Sequence, residues 1–537
     1  MTTAELLFRG AIRTGDPRRP VADAVAVAGG RVLALGDDAR AVAGARTAIV
    51  DLDGGILVPA FRDGHVHPLW GGIELAEAPL VGAGSLDELL SRIAAHAADH
   101  PELEWITGGG YDPTLAPHGV FLAEWLDRAV PDRPAFLLAN DHHTAWVNSA
   151  ALTRAGIDAD TPDPDRGRIG RHADGSPNGT LVEWTAQALV ARLVPRRTAE
   201  QQAAGLDRAG AELVRHGIVW AQEAAATPGE LDTYLAAAAA GRLPIRVNVA
   251  LRAEPGRWPA QRDQFRAARA RAEHAGGGLV SARTVKMFAD GVLETGTAAL
   301  LEPYTDDPHS CGLPVWTAEE LAEAAVAFDA DGFQLHVHAI GDAGVRAALD
   351  AVARVTAVNG RRDRRPVIAH TQLVHPDDLP RFARLGVIAN FEPLWAQLDP
   401  TMVDLTLPRL GPVRGEWLYP LGGLARRGTT LSFGSDWPVS SVRPLAGIAV
   451  AVTRRTPAGV PLDGWLPAER VGLDAALAAY AAGTAHQAFD DDRGRIEVGA
   501  PADVVWIDDD PAGRPPLEIA DLAVRGTWLE GRATFLA

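Results

Sequence analysis

An α/β chain built on a (β/α)8 TIM barrel is the fold class that this sequence predicts, and three observations predict it. Eight short apolar runs of strand length recur between residues 56 and 438, separated by helical stretches. Most of these runs stay apolar until a polar end, as strands covered on both faces do. The chain has 537 residues, too many for one ordinary domain and suited to a large barrel with additions. A doubly wound open sheet is the alternative, but no glycine-rich dinucleotide fingerprint follows the first strand.

The elements follow in order. Residues 20–58 read as strand, Gly-Gly turn, strand, and the C-terminal stretch from ADVVWIDDDP onward reads the same way. Neither end alone has enough strands to bury a core. One small β-sandwich domain made from both termini, 1–58 and 490–537, is therefore expected around a barrel at 59–489. The barrel runs lie at 56–67, 217–224, 244–251, 284–291, 333–341, 365–372, 386–393 and 429–438. The helix after the fourth run opens on Thr317 and Glu320, the spacing of a capping box. Residues 68–216, between the first two runs, exceed the needs of one crossover, so an insertion is expected at about 72–212. Insertions on the upper face of a barrel commonly cover the site.

Composition narrows the function classes. Hydrophobic residues are 47% and charged residues 22%, which excludes wholesale disorder. Net charge is -18, the opposite of a nucleic-acid surface, so no nucleic-acid partner is expected. The only cysteine is Cys311, so no intramolecular disulfide and no cysteine-based zinc cluster can form; it is read as a small packing residue. The first twenty residues lack a signal-peptide core and no run approaches a membrane span. A cytoplasmic chain without a membrane partner is expected, and a homodimer on the general frequency of two-fold assemblies.

The chemistry concentrates at strand ends. In Asp63-Gly64-His65-Val66-His67 the two histidines, two positions apart on a strand, point to one face and can ligate one metal ion. A His-x-His pair alone also occurs in structural roles. Here it recurs with His338 at the end of the fifth run, His370 at the end of the sixth, Asp436 at the end of the eighth and Lys286 on the fourth. In a parallel barrel these ends meet on one face. Lys286 is the single lysine beside fifty arginines. A buried lysine can lose its proton and act as a nucleophile or be modified, which arginine cannot. A leftover structural lysine is the bland alternative.

With these motifs in view, the sequence resembles the metal-dependent amidohydrolase superfamily. LVPAFRDGHVHP, VKMFADG, HVHAIGD and FGSDWPV carry the resemblance, together with the C-terminal AGTAHQAFDDDRGRIEVGAPADVVWIDDDP. DHHTAWVNSAAL, with GRI and NGTLVE after it, is similar to the amidohydrolase-3 branch, which includes the N-substituted formamide deformylases. Local departures are Arg62, where a hydrophobic residue is more usual, and His142, where glycine often precedes His143.

The resemblance implies one or two divalent metals held by His65, His67, Lys286, His338, His370 and Asp436. Zinc is the expected metal, and iron and manganese suit the same ligands. It also implies that carbon dioxide carboxylates Lys286 to an anionic bridging ligand. An unmodified Lys286 beside one metal and a salt bridge to Asp290 or another carboxylate are the alternatives. The implied reaction is hydrolysis of a non-peptide carbon–nitrogen bond, an N-acyl or N-formyl amide of a small molecule, with Asp436 as general base toward a metal-activated water. His338 or His370 would help polarise the carbonyl, and His143 would orient substrate or stabilise the oxyanion, the alternative being a lid histidine with structural contacts alone. A cyclic-amide hydrolase, a deaminase, a metal-dependent decarboxylase and a non-catalytic regulatory protein are the other readings. Among the remaining residues, His336 is read as core or as backing the site, and Asp342 as a helix cap. Tyr111, Trp70, Trp146 and Trp395 are read as either substrate wall or core.

Overall fold

The computed structural model describes residues 2–537. Eight parallel strands form the barrel: β1 (Phe61–Val66), β2 (Ile218–Ala226), β3 (Arg246–Arg252), β4 (Val280–Phe288), β5 (Gln334–Ala339), β6 (Val367–His370), β7 (Ile388–Phe391) and β8 (Leu431–Phe433). Each pairs with its neighbour in chain order, and each of the eight apolar runs overlaps one of them, five enclosing their strand whole. Their residues are almost all buried, because helices cover the outside and side chains fill the inside.

The last edge, between β8 and β1, closes differently. No ladder joins these strands, yet the Asp436 N–H donates to the His65 carbonyl at 2.7 Å and the His67 N–H to the Trp437 carbonyl at 2.9 Å. Asp63 reinforces the seam: its carboxylate accepts from the Ser435 N–H at 3.1 Å, the Ser435 hydroxyl at 2.6 Å and the His65 N–H at 3.1 Å. Glycine permits the approach. A Cβ on Gly434 would lie 2.7 Å from the His65 nitrogen and 2.9 Å from its carbonyl oxygen.

The interior is less apolar than the strand pattern suggests. Gln222, Asn248, Thr284 and Gln334 from β2 to β5 form a hydrogen-bonded chain, with links of 2.8, 2.7 and 2.8 Å. Thr284 sits two residues before Lys286, and Gln334 two before His336, so this polar layer lies directly beneath the site. Buried polar groups are tolerated there because each finds a partner.

Helix starts depart from expectation in two places. Thr317 caps the helix Ala318–Ala330 by accepting from the Glu320 N–H at 3.2 Å. Glu320 does not complete a capping box; its side chain instead accepts from the Gly256 N–H at 2.6 Å. Asp342 is not the cap of its helix, since Gly341 holds that position; its carboxylate accepts from the Leu301 N–H at 2.9 Å. Arg62 is buried, pairs with Asp490 at 2.6 Å and lies 4.8 Å over the Trp220 ring. Cys311 is exposed, so it is not a packing residue.

The two chain ends share one seven-stranded mixed sheet, with Ala48–Pro59 central and Val504–Ile507 beside it. The sheet folds over on itself, bringing Phe8 and Trp528 into edge contact at 4.9 Å although two strands separate theirs. The long β1–β2 connection carries a six-stranded sheet of its own, from Ala78–Pro79 to Pro177–Val182. Tyr111 and Trp146 belong to its core with Phe121 and are not substrate wall. Among the described residues, no helix is long and apolar enough to cross a membrane.

The closing seam yields a test. Gly434→Ala should cost about 1–3 kcal/mol, as overpacking against backbone does. A denaturant midpoint within error of the parent protein would show that the seam tolerates the methyl and does not depend on glycine.

Candidate active site

The C-terminal ends of the strands open into a cavity of about 210 Å³, lined by His65, His67, Lys286, His338, His370 and Asp436. His143, from the insertion, completes the wall. All seven predicted site residues therefore meet in one place. They do not play equal geometric parts.

Three of them form a tight cluster. His65, His67 and Asp436 offer ligand atoms within 4.8 Å of one another. Asp436 Oδ1 lies 3.1 Å from His67 Nε2 and 3.5 Å from His65 Nε2, is buried, and has no hydrogen bond. A buried carboxylate oxygen whose only near neighbours are two imidazole nitrogens pairs with a protonated ring or, with the rings neutral, with a metal ion held by all three. This donor set fits a divalent metal ion.

The backs of the rings are held. His67 Nδ1 meets Glu223 at 3.3 Å, and Glu223 in turn accepts from the Tyr234 hydroxyl. His65 Nδ1 lies 2.8 Å from His336 Nε2. Carboxylate or imidazole partners on the far nitrogen fix the ring and aim the near one. Trp70 stacks on His67 at 4.4 Å and Trp395 on His370 at 5.4 Å, so these two tryptophans are cavity wall as well as packing.

Lys286 sits beside the cluster, with Nζ 3.2 Å from His65 Nε2 and 4.6 Å over the Phe288 ring. It makes no salt bridge to Asp290, whose carboxylate instead accepts three backbone N–H groups, from Ala299, Ile340 and Gly341, at 2.8–3.0 Å. Burial lowers the Lys286 amine to about 7. His370 turns Nδ1 to Glu392 at 2.9 Å, and its ring stands 4.6 Å from that of His65. His338 turns Nε2 to the Gly291 carbonyl at 3.2 Å, with its ring 4.5 Å from that of His370. These two are adjacent to the cluster without sharing its centre.

Charge follows burial and partners. Burial opposes the protonated form of His67, but the Asp436 and Glu223 carboxylates outweigh it and raise the ring to about 9. His370, buried and close to Lys286, is lowered to about 3. His143 Nδ1 meets Glu183 at 2.8 Å; burial opposes its charge, and Glu183 overrides it to bring the ring to about 9. The backbone is also held against preference. Asp436, His370, Thr371 and Glu183 have φ of 53°, 70°, 46° and 68°, each costing on the order of 1–3 kcal/mol in a residue with a side chain. Such strain persists where the surroundings over-determine it, as the seam does at Asp436.

Glu223, Glu392 and Glu183 escaped the sequence reading. The signal for the first two was present: each is a charged residue near the C-terminal end of an otherwise apolar strand, the same mark that singled out His370. Glu183 closes the NGTLVE motif that carried part of the resemblance, but its pairing with His143 spans 40 residues of chain and leaves no local pattern.

Comparison with known proteins agrees with this architecture. The chain is 32% identical over 516 residues to protein LONG AFTER FAR-RED 3 of Arabidopsis thaliana, covering 93% of this chain and 86% of that one. It is 26% identical to N-substituted formamide deformylase of Arthrobacter pascens, covering 98% and 97%. The solved structure of an uncharacterized metal-dependent hydrolase of Pyrococcus furiosus superposes with a TM-score of 0.71 at 27% identity, covering 95% of this chain and 99% of that one. A family model described as amidohydrolase family matches residues 48–535, and with the barrel, the seam and the His65–His67–Asp436 cluster in place, the chain belongs to the amidohydrolase family, whose members are metal-dependent hydrolases.

Proposed function

We propose that this chain hydrolyses a non-peptide carbon–nitrogen bond, an N-acyl or N-formyl amide of a small molecule. The observation that carries the reading is the buried Asp436 Oδ1 set between the Nε2 atoms of His65 and His67, at the floor of a cavity walled by tryptophans. The similarity to N-substituted formamide deformylase supports the choice of bond.

His65, His67 and Asp436 would hold a divalent ion, with zinc proposed and iron or manganese compatible with the same donors. Carboxylated Lys286, His338 and His370 would serve a second. When bound, such an ion supplies Lewis acidity toward a carbonyl and lowers the pKa of water. The chain's own residues do the rest. Asp436 takes the proton of the attacking water and passes it to the leaving nitrogen, so that the amine departs neutral. His143, protonated and fixed by Glu183, donates from Nε2 toward the carbonyl oxygen as negative charge develops there. Trp70 and Trp395 keep the His67 and His370 planes in place and limit water.

Lys286 fits the carbamate role chemically. Its amine, lowered to about 7 by burial, is neutral in a large fraction near neutral pH. The neutral nitrogen attacks carbon dioxide, a carbon–nitrogen bond forms, and a proton leaves to give the anionic carbamate. Arginine can do none of this.

Three outcomes follow for purified protein assayed on a panel of N-formyl and N-acyl amines. Lys286→Arg should lose at least about a hundredfold in kcat while its melting curve stays that of the parent; full activity would remove the carbamate. Asp436→Asn should lose about a hundred- to ten-thousandfold in kcat with metal still bound, whereas a loss that tracked metal content alone would leave Asp436 a ligand and not the base. Reconstitution with metal in bicarbonate should give more active enzyme than reconstitution in buffer freed of carbon dioxide. Equal activities would argue for an unmodified lysine.

A further inference from the structure

The cavity has a second end. Away from the cluster its wall is formed by Asp141 of the insertion, Glu294 after β4 and Asp399 after β7. Their contacts are to neutral groups. Asp141 accepts from the His143 and Thr144 N–H groups at 2.8 and 3.0 Å, Glu294 from the Thr406 hydroxyl at 2.8 Å, and Asp399 from the Met402 N–H at 2.9 Å. Among the described residues none of the three forms an ion pair. The arginines nearby are engaged elsewhere: Arg409 with Asp306 at 2.8 Å and Arg414 with the Glu302 carbonyl at 2.8 Å. In a chain with fifty arginines, not one lines this cavity; Lys286, at the floor, and the histidines are its only basic groups.

A separate observation points to a ligand. Gln397, on the same wall, is only 6% exposed, and its Oε1 is buried without a hydrogen bond. Its Nε2 donates to the Leu394 carbonyl at 2.7 Å, which fixes the amide and leaves the oxygen as a free acceptor. An unsatisfied buried acceptor and, in Glu294 and Asp399, two carboxylates without ion pairs line the same cavity and suit a donor that carries positive charge. Tyr419 adds an aromatic ring to the cavity lining, which suits a cation and repels an anion.

We propose that this outer end binds a protonated amine carried by the substrate, distal to the bond that is cleaved. The assignment rests on reading the cavity as the substrate pocket of an amide hydrolase. It makes the substrate class an acylated diamine or amino compound with a free ammonium group, and it makes Glu294 and Asp399 specificity determinants. Burial holds the Asp141 and Asp399 carboxyls up at about 6, against the His143 charge at Asp141 and with a smaller push from Glu294 at both, a cost that an ammonium group relieves. The neighbouring cavity of about 760 Å³ differs in charge: four arginines line it, Arg252 and Arg257 paired with Glu254, Arg197 with Glu77, and Arg166 bonded only to the Val315 carbonyl.

Binding can be separated from hydrolysis. Calorimetry on the full-length protein as purified would compare three methanesulfonamides, inert to hydrolysis, made from pentane diamine, hexylamine and aminohexanoate. They differ only in a terminal ammonium, methyl or carboxylate group. The ammonium probe should bind at least about tenfold tighter than the methyl probe, and the carboxylate probe weakest. The preference should fall to near unity in the Glu294→Gln, Asp399→Asn double variant, with its melting curve recorded alongside. Equal affinities in the parent protein, no binding of any probe, or tighter binding of the methyl or carboxylate probe overturns the assignment whatever the variant does. So does calcium ion binding at this end in place of the ammonium probe. The matching formamides, assayed for release of formate, test the amide reading on its own. Preference for the ammonium probe without cleavage of any formamide would keep the charge assignment and reject the amide reading, and cleavage without preference would do the reverse.

Discussion

Everything at the floor of this cavity depends on how β8 is joined to β1. Two backbone hydrogen bonds and the Asp63 carboxylate bring Asp436 to His65 and His67 across 372 residues of chain from Asp63 to Ser435. The residues at the seam have narrow tolerances. Gly434 has no room for a methyl, and Asp436 holds a left-handed backbone that its N–H bond to His65 enforces. The bond that closes the barrel is thus the same bond that sets the position of the carboxylate. Stability and site geometry are one constraint here, which is why strain can persist at a residue with chemical work to do.

Behind that floor stands a layer of buried carboxylates, each assigned to one imidazole. Glu223 backs His67, Glu392 backs His370 and Glu183 backs His143. Asp290 does a related task on backbone, gathering the N–H groups of Ala299, Ile340 and Gly341 around the ends of β4 and β5. An imidazole whose far nitrogen is engaged presents its near nitrogen with a fixed aim, so orientation does not have to be found again in each turnover. Beneath them, the Gln222–Asn248–Thr284–Gln334 chain ties four strands together by side chains as well as by the ladder. The insertion contributes from above: it supplies His143, and its aromatic core around Tyr111 and Trp146 is self-contained. The wall it builds with the loops after β4 and β7 gives the cavity two ends of different character.

Much of this was legible in the chain because the signals are local and periodic. Strand-length apolar runs with polar ends located all eight barrel strands, and the i, i+2 spacing of His65 and His67 predicted a shared face. Lys286 stood out by being alone among fifty arginines. What was not legible depends on contacts between distant segments. No local pattern says that Glu320 turns to Gly256 rather than back to Thr317, or that Asp342 serves Leu301 rather than its own helix. His338 and His370 share a face with the cluster, as strand ends should, but the turns of their rings toward Gly291 and Glu392 come from the loops packed on them. The outer acidic wall joins residues from three separate loops, and loop-to-loop proximity leaves no periodicity to read.

Elemental analysis of the purified native protein reads the His65–His67–Asp436 site without any assumption about substrate. Between about one and two divalent transition-metal ions per chain are expected, with the higher figure matching a bridge at Lys286. They should be lost from a His65→Ala, His67→Ala double variant that remains folded. Protein that binds no metal after purification and dialysis against added zinc, iron or manganese would rule out the site.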